Sequence, residues 1–124
     1  MNLKKYYMSL LSGSSALISL IGENKILSAY PQEVKTFPLV VFEDTNSSDV
    51  AFSDNLPEGT SAQVRIHIFS KTLKGYPKAE EIAEIIREIF RIDYWSMTAN
   101  IETPDVEDNI KHRVMDFKRE FYSL

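Results

Sequence analysis

The chain has 124 residues, a length typical of one domain, and we expect a single domain over residues 1–124. Hydrophobic residues make up 44% of the sequence and aromatic residues 11%, which supports a packed core and excludes wholesale disorder. A formal net charge of -4 disfavours a phosphate-binding surface. The absence of cysteine excludes disulfides, thiol catalysis and thiolate metal ligands, and it fits a reducing compartment.

The N-terminal segment 1–21 has the outline of a signal peptide, because Lys4 and Lys5 precede an apolar stretch. Polar residues and a glycine at 12–15 interrupt that stretch, and no small-residue cleavage site follows it. We therefore expect the segment to be retained and the protein to be cytosolic. No run approaches 18 consecutive apolar residues, so we expect no membrane span.

Two helices are predicted at the start of the chain. Apolar residues recur at spacings of three and four from Leu3 to Leu11, which indicates one apolar helix face. Ser14 or Ser15 can cap a second, short helix that Gly22 ends. A brief extended segment is then expected at 26–30.

The run 39–43 is rich in β-branched and aromatic residues and predicts a strand. Asp44 to Ser61 is rich in Asp, Asn, Ser, Pro and Gly, and we predict a long loop there. This segment also contains three apolar residues: Val50, Phe52 and Leu56. A solvated loop has little use for that apolar surface, so we expect it to contact a partner.

In the second half of the chain we predict a strand, a helix that can cover it, and a closing hairpin. Residues 62–71 alternate apolar and polar, as in a strand with one buried face, and 79–90 carries the apolar stripe of an amphipathic helix that can cover this face. Alternation in 95–101 and again in 113–121 predicts a closing hairpin. We therefore expect an α+β fold with a mainly antiparallel sheet of about four strands. Helices should pack on one face, and the long loop should separate the first two strong strands.

Catalytic chemistry has weak support in the sequence. The only imidazoles are His67, in the middle of a strand, and His112, near the start of the last strand, and neither has an evident partner. An enzyme would require these two side chains to converge with carboxylates in space. Two distant histidines make a poor metal site, and the four glycines lack the spacing of a nucleotide-binding loop. We expect no enzymatic activity, no metal and no cofactor.

Charge is unevenly distributed along the chain. The last strand contains four basic residues: Lys111, Arg113, Lys118 and Arg119. The predicted loop contains four acidic residues: Asp44, Asp49, Asp54 and Glu58. The basic group could bind nucleic acid, be plainly solvated, or meet the acidic group of a neighbouring subunit. The last alternative favours a head-to-tail ring, with the three apolar loop residues in the same interface.

The order of elements resembles that of the tail-completion, or tail-terminator, proteins of long-tailed bacteriophages and prophages. The resemblance extends from about Leu3 to Phe121 and depends on the following features: the helical start, Tyr30-Pro31, the strand Phe37-Pro38-Leu39-Val40-Val41-Phe42, the long loop, the strand Gln63 to Ser70, the helix Ala79 to Phe90, and the closing strand His112-Arg113-Val114-Met115. It implies a non-enzymatic hexameric ring at the head-proximal end of the tail tube. Such a ring stops tail growth and forms the surface that joins the capsid connector.

The resemblance also implies partners and a location. The partners are further copies of the chain, the tail-tube protein and the head-completion protein, with no membrane and no sequence-specific nucleic acid among them. The location is the bacterial cytoplasm during assembly and then the virion tail. The alternative function is a small α+β binding module that recognises a small ligand or a regulatory protein in a pocket between helices and sheet.

Overall fold

The computed structural model describes the backbone of residues 2–45, 48–53, 56–103 and 109–122, and the side chains of 2–45, 59–103 and 109–121. Within these residues there are three helices: α1 (Leu3–Ser12), α2 (Ser15–Ile21) and α3 (Ala79–Ile92). The same residues form six strands: β1 (Ile26–Leu27), β2 (Leu39–Asp44), β3 (Ser48–Ser53), β4 (Leu56–Lys71), β5 (Ser96–Glu102) and β6 (Ile110–Tyr122). The predicted α+β class is confirmed.

The strands form one sheet in which neighbouring strands follow the order β1-β2-β4-β6-β5. β3 also belongs to this sheet and pairs with the first part of β4. Only the β1–β2 pairing is parallel among the described strands. β4 pairs with β6 along one side, from Gly59 to Lys71. Along its other side it pairs with β2 from Val64 to Phe69 and with β3 from Leu56 to Ser61.

The helices cover one face of this sheet, as predicted. The apolar face of β4, residues 62, 64, 66 and 68, is fully buried, and α3 lays Ile82, Ile86 and Phe90 against it without exposure. The face of β4 that is buried at every second residue and the apolar stripe of α3 therefore pack together in one core. A smaller apolar cluster around Leu39, Val41 and Phe69 lies on the opposite face, which we call the open face.

The N-terminal helices belong to the core. The Asn2 side chain accepts a hydrogen bond from the Lys5 backbone N–H at 3.1 Å, and Ser14 Oγ accepts one from Leu17 N–H at 3.2 Å, so both helices have side-chain caps. Tyr7, Leu11 and Leu17 are fully buried. The residues that outlined a signal peptide thus form part of the folded interior.

The predicted loop from Asp44 to Ser61 is wrong. Its described residues form β3 and the first part of β4, in an antiparallel hairpin whose register runs from Ser48 opposite Ser61 to Ser53 opposite Leu56. β2 covers β4 only from Val64 onwards, so the backbone groups of 56–61 on that edge would lack partners without β3. Backbone pairing therefore overrides a composition typical of loops, and the sheet has six described strands instead of about four.

The alternation predicted across 95–101 is broken by one extra residue. The pairing of β5 with β6 places Met97 opposite Phe117 but Ala99 opposite Asp116, which marks a β-bulge at Thr98. Residues after the bulge change faces. Met97 therefore packs against the core, whereas Ile101 is 57% exposed.

The aromatic contacts of Phe90 provide a test of the core. Its ring stacks on Phe117 at 4.3 Å between centroids and meets Trp95 edge-on at 5.4 Å. We expect Phe90→Ala to lower the free energy of unfolding by about 3–5 kcal/mol, because it leaves a cavity between α3 and the sheet. Chemical denaturation measures this change. The control is Ile92→Ala on the same helix, where the side chain is 64% exposed and the cost should stay within about 0.5 kcal/mol. Equal losses in the two variants would contradict this packing.

Candidate functional site

A hydrogen-bonded chain of three side chains crosses the open face. His67 Nε2 lies 2.8 Å from Glu43 Oε2, and His67 Nδ1 lies 3.0 Å from His112 Nε2. Strand register produces this arrangement, because β4 contributes His67 between Glu43 on β2 and His112 on β6. The convergence that an enzyme would require, two imidazoles with a carboxylate, is therefore present.

The geometry of this hydrogen-bonded chain leaves His67 without a free ring nitrogen. If His67 donates its Nε2–H to Glu43, its Nδ1 accepts from His112, so neighbouring side chains occupy both nitrogens. The His67 side chain is only 11% exposed. A general base must direct a lone pair at its substrate, and His67 has both nitrogens committed. These hydrogen bonds satisfy buried polar groups and link the strands β2, β4 and β6.

Aromatic rings surround these imidazoles. The His112 ring stacks on Phe69 at 4.3 Å between centroids, and the Tyr30 ring meets His67 edge-on at 4.9 Å. Beside them lies a cavity of about 320 Å³, lined by Tyr30, Gln32, Glu33, Val34, Phe37, Phe69, Ile110 and His112. This volume is at the lower end for small-molecule pockets.

The four predicted basic residues do not form one patch. Successive strand residues point to opposite faces, so Lys118 lies on the open face while the other three lie on the helix-covered face with Phe117. Arg113 Nη1 donates to Asn100 Oδ1 at 2.8 Å, and Lys111 Nζ lies 3.8 Å from Glu102 Oε1. The positive charge of β6 is therefore divided between two faces and partly engaged within the subunit.

Arg119 in particular helps to close the fold. Its Nη1 donates to the Asp93 carbonyl oxygen at 2.6 Å and approaches the Asp93 carboxylate at 3.1 Å. Tyr6 donates its hydroxyl to the same carboxylate, and Trp95 Nε1 donates to it at 3.0 Å. Burial and the hydrogen bond to Asp93 raise the pKa of Tyr6 to about 12, so the hydroxyl stays protonated as a donor. We call these four residues the Asp93 junction; it connects α1, the end of α3 and β6.

Three of the four predicted acidic residues are described, and they lie in the β3–β4 hairpin or at the end of β2. Asp44 ends β2 and is exposed. Asp49 lies in β3 and Glu58 in β4, together with the apolar Val50, Phe52 and Leu56, and for these five the structure describes the backbone only. Asp54 lies outside the described residues.

A group of four lysines lies at the other end of β4, and sequence reasoning had named only Lys111 among them. Lys71, Lys74, Lys78 and Lys111 line one cavity, together with Leu73 and Tyr76. Three of them are spaced three to four residues apart between β4 and α3, and this spacing is the only sequence signal. Lys111 joins them only because β6 pairs with β4, with Lys111 opposite Ser70.

The structure adds two observations on metals and membranes. In the part of the chain that the structure describes, no three histidine, aspartate or glutamate side chains are grouped so as to hold a metal ion. The helices in this part fall short of the length and apolarity that a bilayer crossing requires.

The Asp93 junction gives a stability prediction. Asp93→Ala removes the acceptor used by Tyr6, Trp95 and Arg119, so we expect the free energy of unfolding to fall by about 2 kcal/mol. The control is Glu88→Ala, which removes an ion pair with Arg91 on an exposed helix face and should have little effect. Urea denaturation compares the two, and an Asp93→Ala protein as stable as the control would refute the junction.

The histidine chain gives a pH prediction. Burial lowers the pKa of His112 below its ordinary value of 6.5, and the charge of nearby His67 lowers it further. The unfolded chain then binds this proton more tightly than the folded chain, so the free energy of unfolding should fall as pH drops below about 6.5. His112→Gln keeps a donor for His67 but does not titrate. We expect a smaller loss of stability for this variant than for wild type between pH 7.5 and 5.5 in urea denaturation. Equal losses would contradict the assignment.

Comparison with known proteins finds a similar fold and a matching sequence family. A chain of the "Virion of native gene transfer agent (GTA) particle" has a similar fold, with a TM-score of 0.64 at 13% identity, covering 98% of this chain and 95% of that chain. No curated protein matches the chain in sequence. The family described as tail completion protein gp17 matches residues 8–118. Because this match extends over most of the sequence, the chain belongs to the tail completion protein gp17 family.

Proposed function

We propose that the protein is a structural tail completion protein that forms a ring at the head-proximal end of a phage tail tube. There it ends tail growth and joins the capsid connector. Membership of the tail completion family supports the role in the tail. The solved relative is part of a virion particle, which supports the virion tail as the final location after assembly in the bacterial cytoplasm.

The β3–β4 hairpin is the observation that carries the proposal of self-assembly. β2 pairs with β4 no further than Val64, and β6 ends with Tyr122 opposite Gly59. Beyond Gly59 the hairpin is a two-stranded arm in the described part of the chain. Two-stranded hairpins are marginally stable in water, whereas docking on another surface stabilises them. The apolar Phe52 and Leu56 lie in this arm, and the apolar Val50 lies at its base opposite Gly59. All three residue types suit contact with a neighbouring subunit.

The proposed role involves no catalysis by the chain. His67 and His112 are hydrogen-bonded to each other, and His67 is also hydrogen-bonded to Glu43. This group of three side chains stabilises the open face across three strands. Arg65 and Asp116 on the same face form a two-bond ion pair at 2.8 and 3.1 Å. These polar groups recognise one another within the subunit.

The alternative, a binding module, required a pocket between helices and sheet. Core side chains fill that space in the described residues, since Ile66, Ile86 and Phe90 are all fully buried there. The cavities discussed above lie elsewhere, on the open face and at the end of β4. Packing thus favours the assembly role, with the tail-tube and head-completion proteins as the proposed partners.

The hairpin provides the experiment. We expect wild-type protein to form a closed ring in native mass spectrometry and negative-stain images, and to bind the ends of purified tail tubes. The double variant Val50→Ser/Phe52→Ser should associate at least about tenfold more weakly, because it removes apolar contact area from the hairpin. Its circular dichroism and melting temperature should match those of wild type.

The Ile92→Ala variant is the control, because it removes an exposed apolar side chain far from the hairpin in sequence, on α3, and it should keep the ring. A wild-type protein that stays monomeric at every concentration and does not bind the ends of tail tubes would overturn the proposal.

A further inference from the structure

The lysine cavity concentrates positive charge in an acidic protein. Its volume is about 720 Å³, and it lies where β4 ends, ahead of α3 and beside the start of β6. Among the residues that the structure describes, the lining contains four lysines, Lys71, Lys74, Lys78 and Lys111, and one acidic residue, Glu80. The whole chain carries a net charge of -4, so the described lining of this cavity has the opposite sign to the protein as a whole.

Contacts within the subunit hold two of these lysines in place. Lys71 Nζ lies 5.0 Å from the Phe37 ring centroid and 5.7 Å from that of Tyr76, which is cation–π geometry. Lys111 lies 3.8 Å from Glu102, a long ion pair. Lys74 and Lys78 are exposed at the mouth of the cavity. The positive charge is therefore partly preorganised and remains accessible.

The cavity also offers apolar surface. Leu73 is 46% exposed and Tyr76 38% exposed, and both contribute to the lining. Exposed aromatic and aliphatic side chains next to charged ones are the composition of a protein interface. A docking partner should therefore supply carboxylates together with apolar side chains.

The β3–β4 hairpin has this composition. Residues 48–61 contain three acidic residues, Asp49, Asp54 and Glu58, and neither lysine nor arginine, and they include Val50, Phe52 and Leu56. Asp44, at the end of β2, precedes them in the sequence. From Glu58 to Lys71 the β4 strand extends about 40 Å, so the hairpin and the cavity of one subunit lie far apart. The two surfaces are complementary in charge, but they can contact each other only when they belong to different copies of the chain.

We propose that the acidic β3–β4 hairpin of one subunit docks on the lysine cavity of the next copy. This inference rests on the proposed ring and specifies its contact. Two different surfaces at opposite ends of one strand make a head-to-tail interface, which closes into a ring when the rotation between subunits allows it. The receiving surface is the cavity with Lys71, Lys74 and Lys78. The face of β6 is not that surface, because Arg119 is engaged by Asp93 and Lys118 lies on the other side.

Charge reversal tests the contact directly. One variant, Lys74→Glu/Lys78→Glu, makes the cavity acidic, and a second, Asp49→Lys/Glu58→Lys, makes the hairpin basic. We expect each variant alone to assemble roughly 100-fold more weakly than wild type at low salt, because like charges then face each other. Mixing the two variants in equal amounts should restore rings of alternating subunits, and a protein with all four substitutions should again form rings alone.

The control is Lys4→Glu/Lys5→Glu, which makes the same change of charge on exposed positions of α1 and should leave assembly unchanged. Circular dichroism confirms folding of each variant, and native mass spectrometry reports assembly. Reversal variants that assemble like wild type would overturn the docking contact and leave the ring function intact. Single defects that mixing does not repair would also overturn it. A wild-type protein that never forms rings would instead refute the proposed function.

Discussion

Pairing of β4 with three neighbouring strands is the constraint on which the rest of the structure depends. Its 16 residues accept β6 on one edge, and β2 and β3 one after the other on the other edge. Its buried face supplies the surface on which α3 lies, and its open face places His67 between Glu43 and His112. Its two ends position the acidic hairpin and the lysine cavity. A register shift of one residue would turn every one of these side chains to the wrong face.

Sequence patterns predicted those parts of the fold that depend on local periodicity. The stripe of α3 and the alternation of 62–71 each identify a buried face without knowledge of the partner, because burial follows the period of the element. Ser14 and Gly22 likewise mark the limits of a short helix by their backbone chemistry. The predictions failed where a distant strand decides the outcome. Residues 48–53 have the composition of a loop, and they become a strand because β4 has an unpaired edge there.

The candidate surfaces show the same division. The sign of its charge was the only basis for predicting Arg119 as an interface residue. Its partner Asp93 lies 26 positions away and contacts it only because α3 packs on the sheet. The histidine chain was equally hidden, since His67 and His112 are 45 positions apart. Charge composition did identify the acidic hairpin. The basic surface proposed to receive it depends on the pairing of β6 with β4, which places Lys111 opposite Ser70, so that two separate segments of the chain line one cavity.

The position of Trp95 has a spectroscopic consequence. It is the only tryptophan, it is 6% exposed, and its ring contacts Tyr6, Tyr7, Phe90 and Phe121 while its indole N–H is bound to Asp93. Its fluorescence therefore reports the integrity of the Asp93 junction and of the core around it. The hairpin and the lysine cavity contribute none of these contacts, so the emission separates folding of the subunit from association between subunits. The protein thus carries an intrinsic optical probe of its monomer fold, and no label is needed.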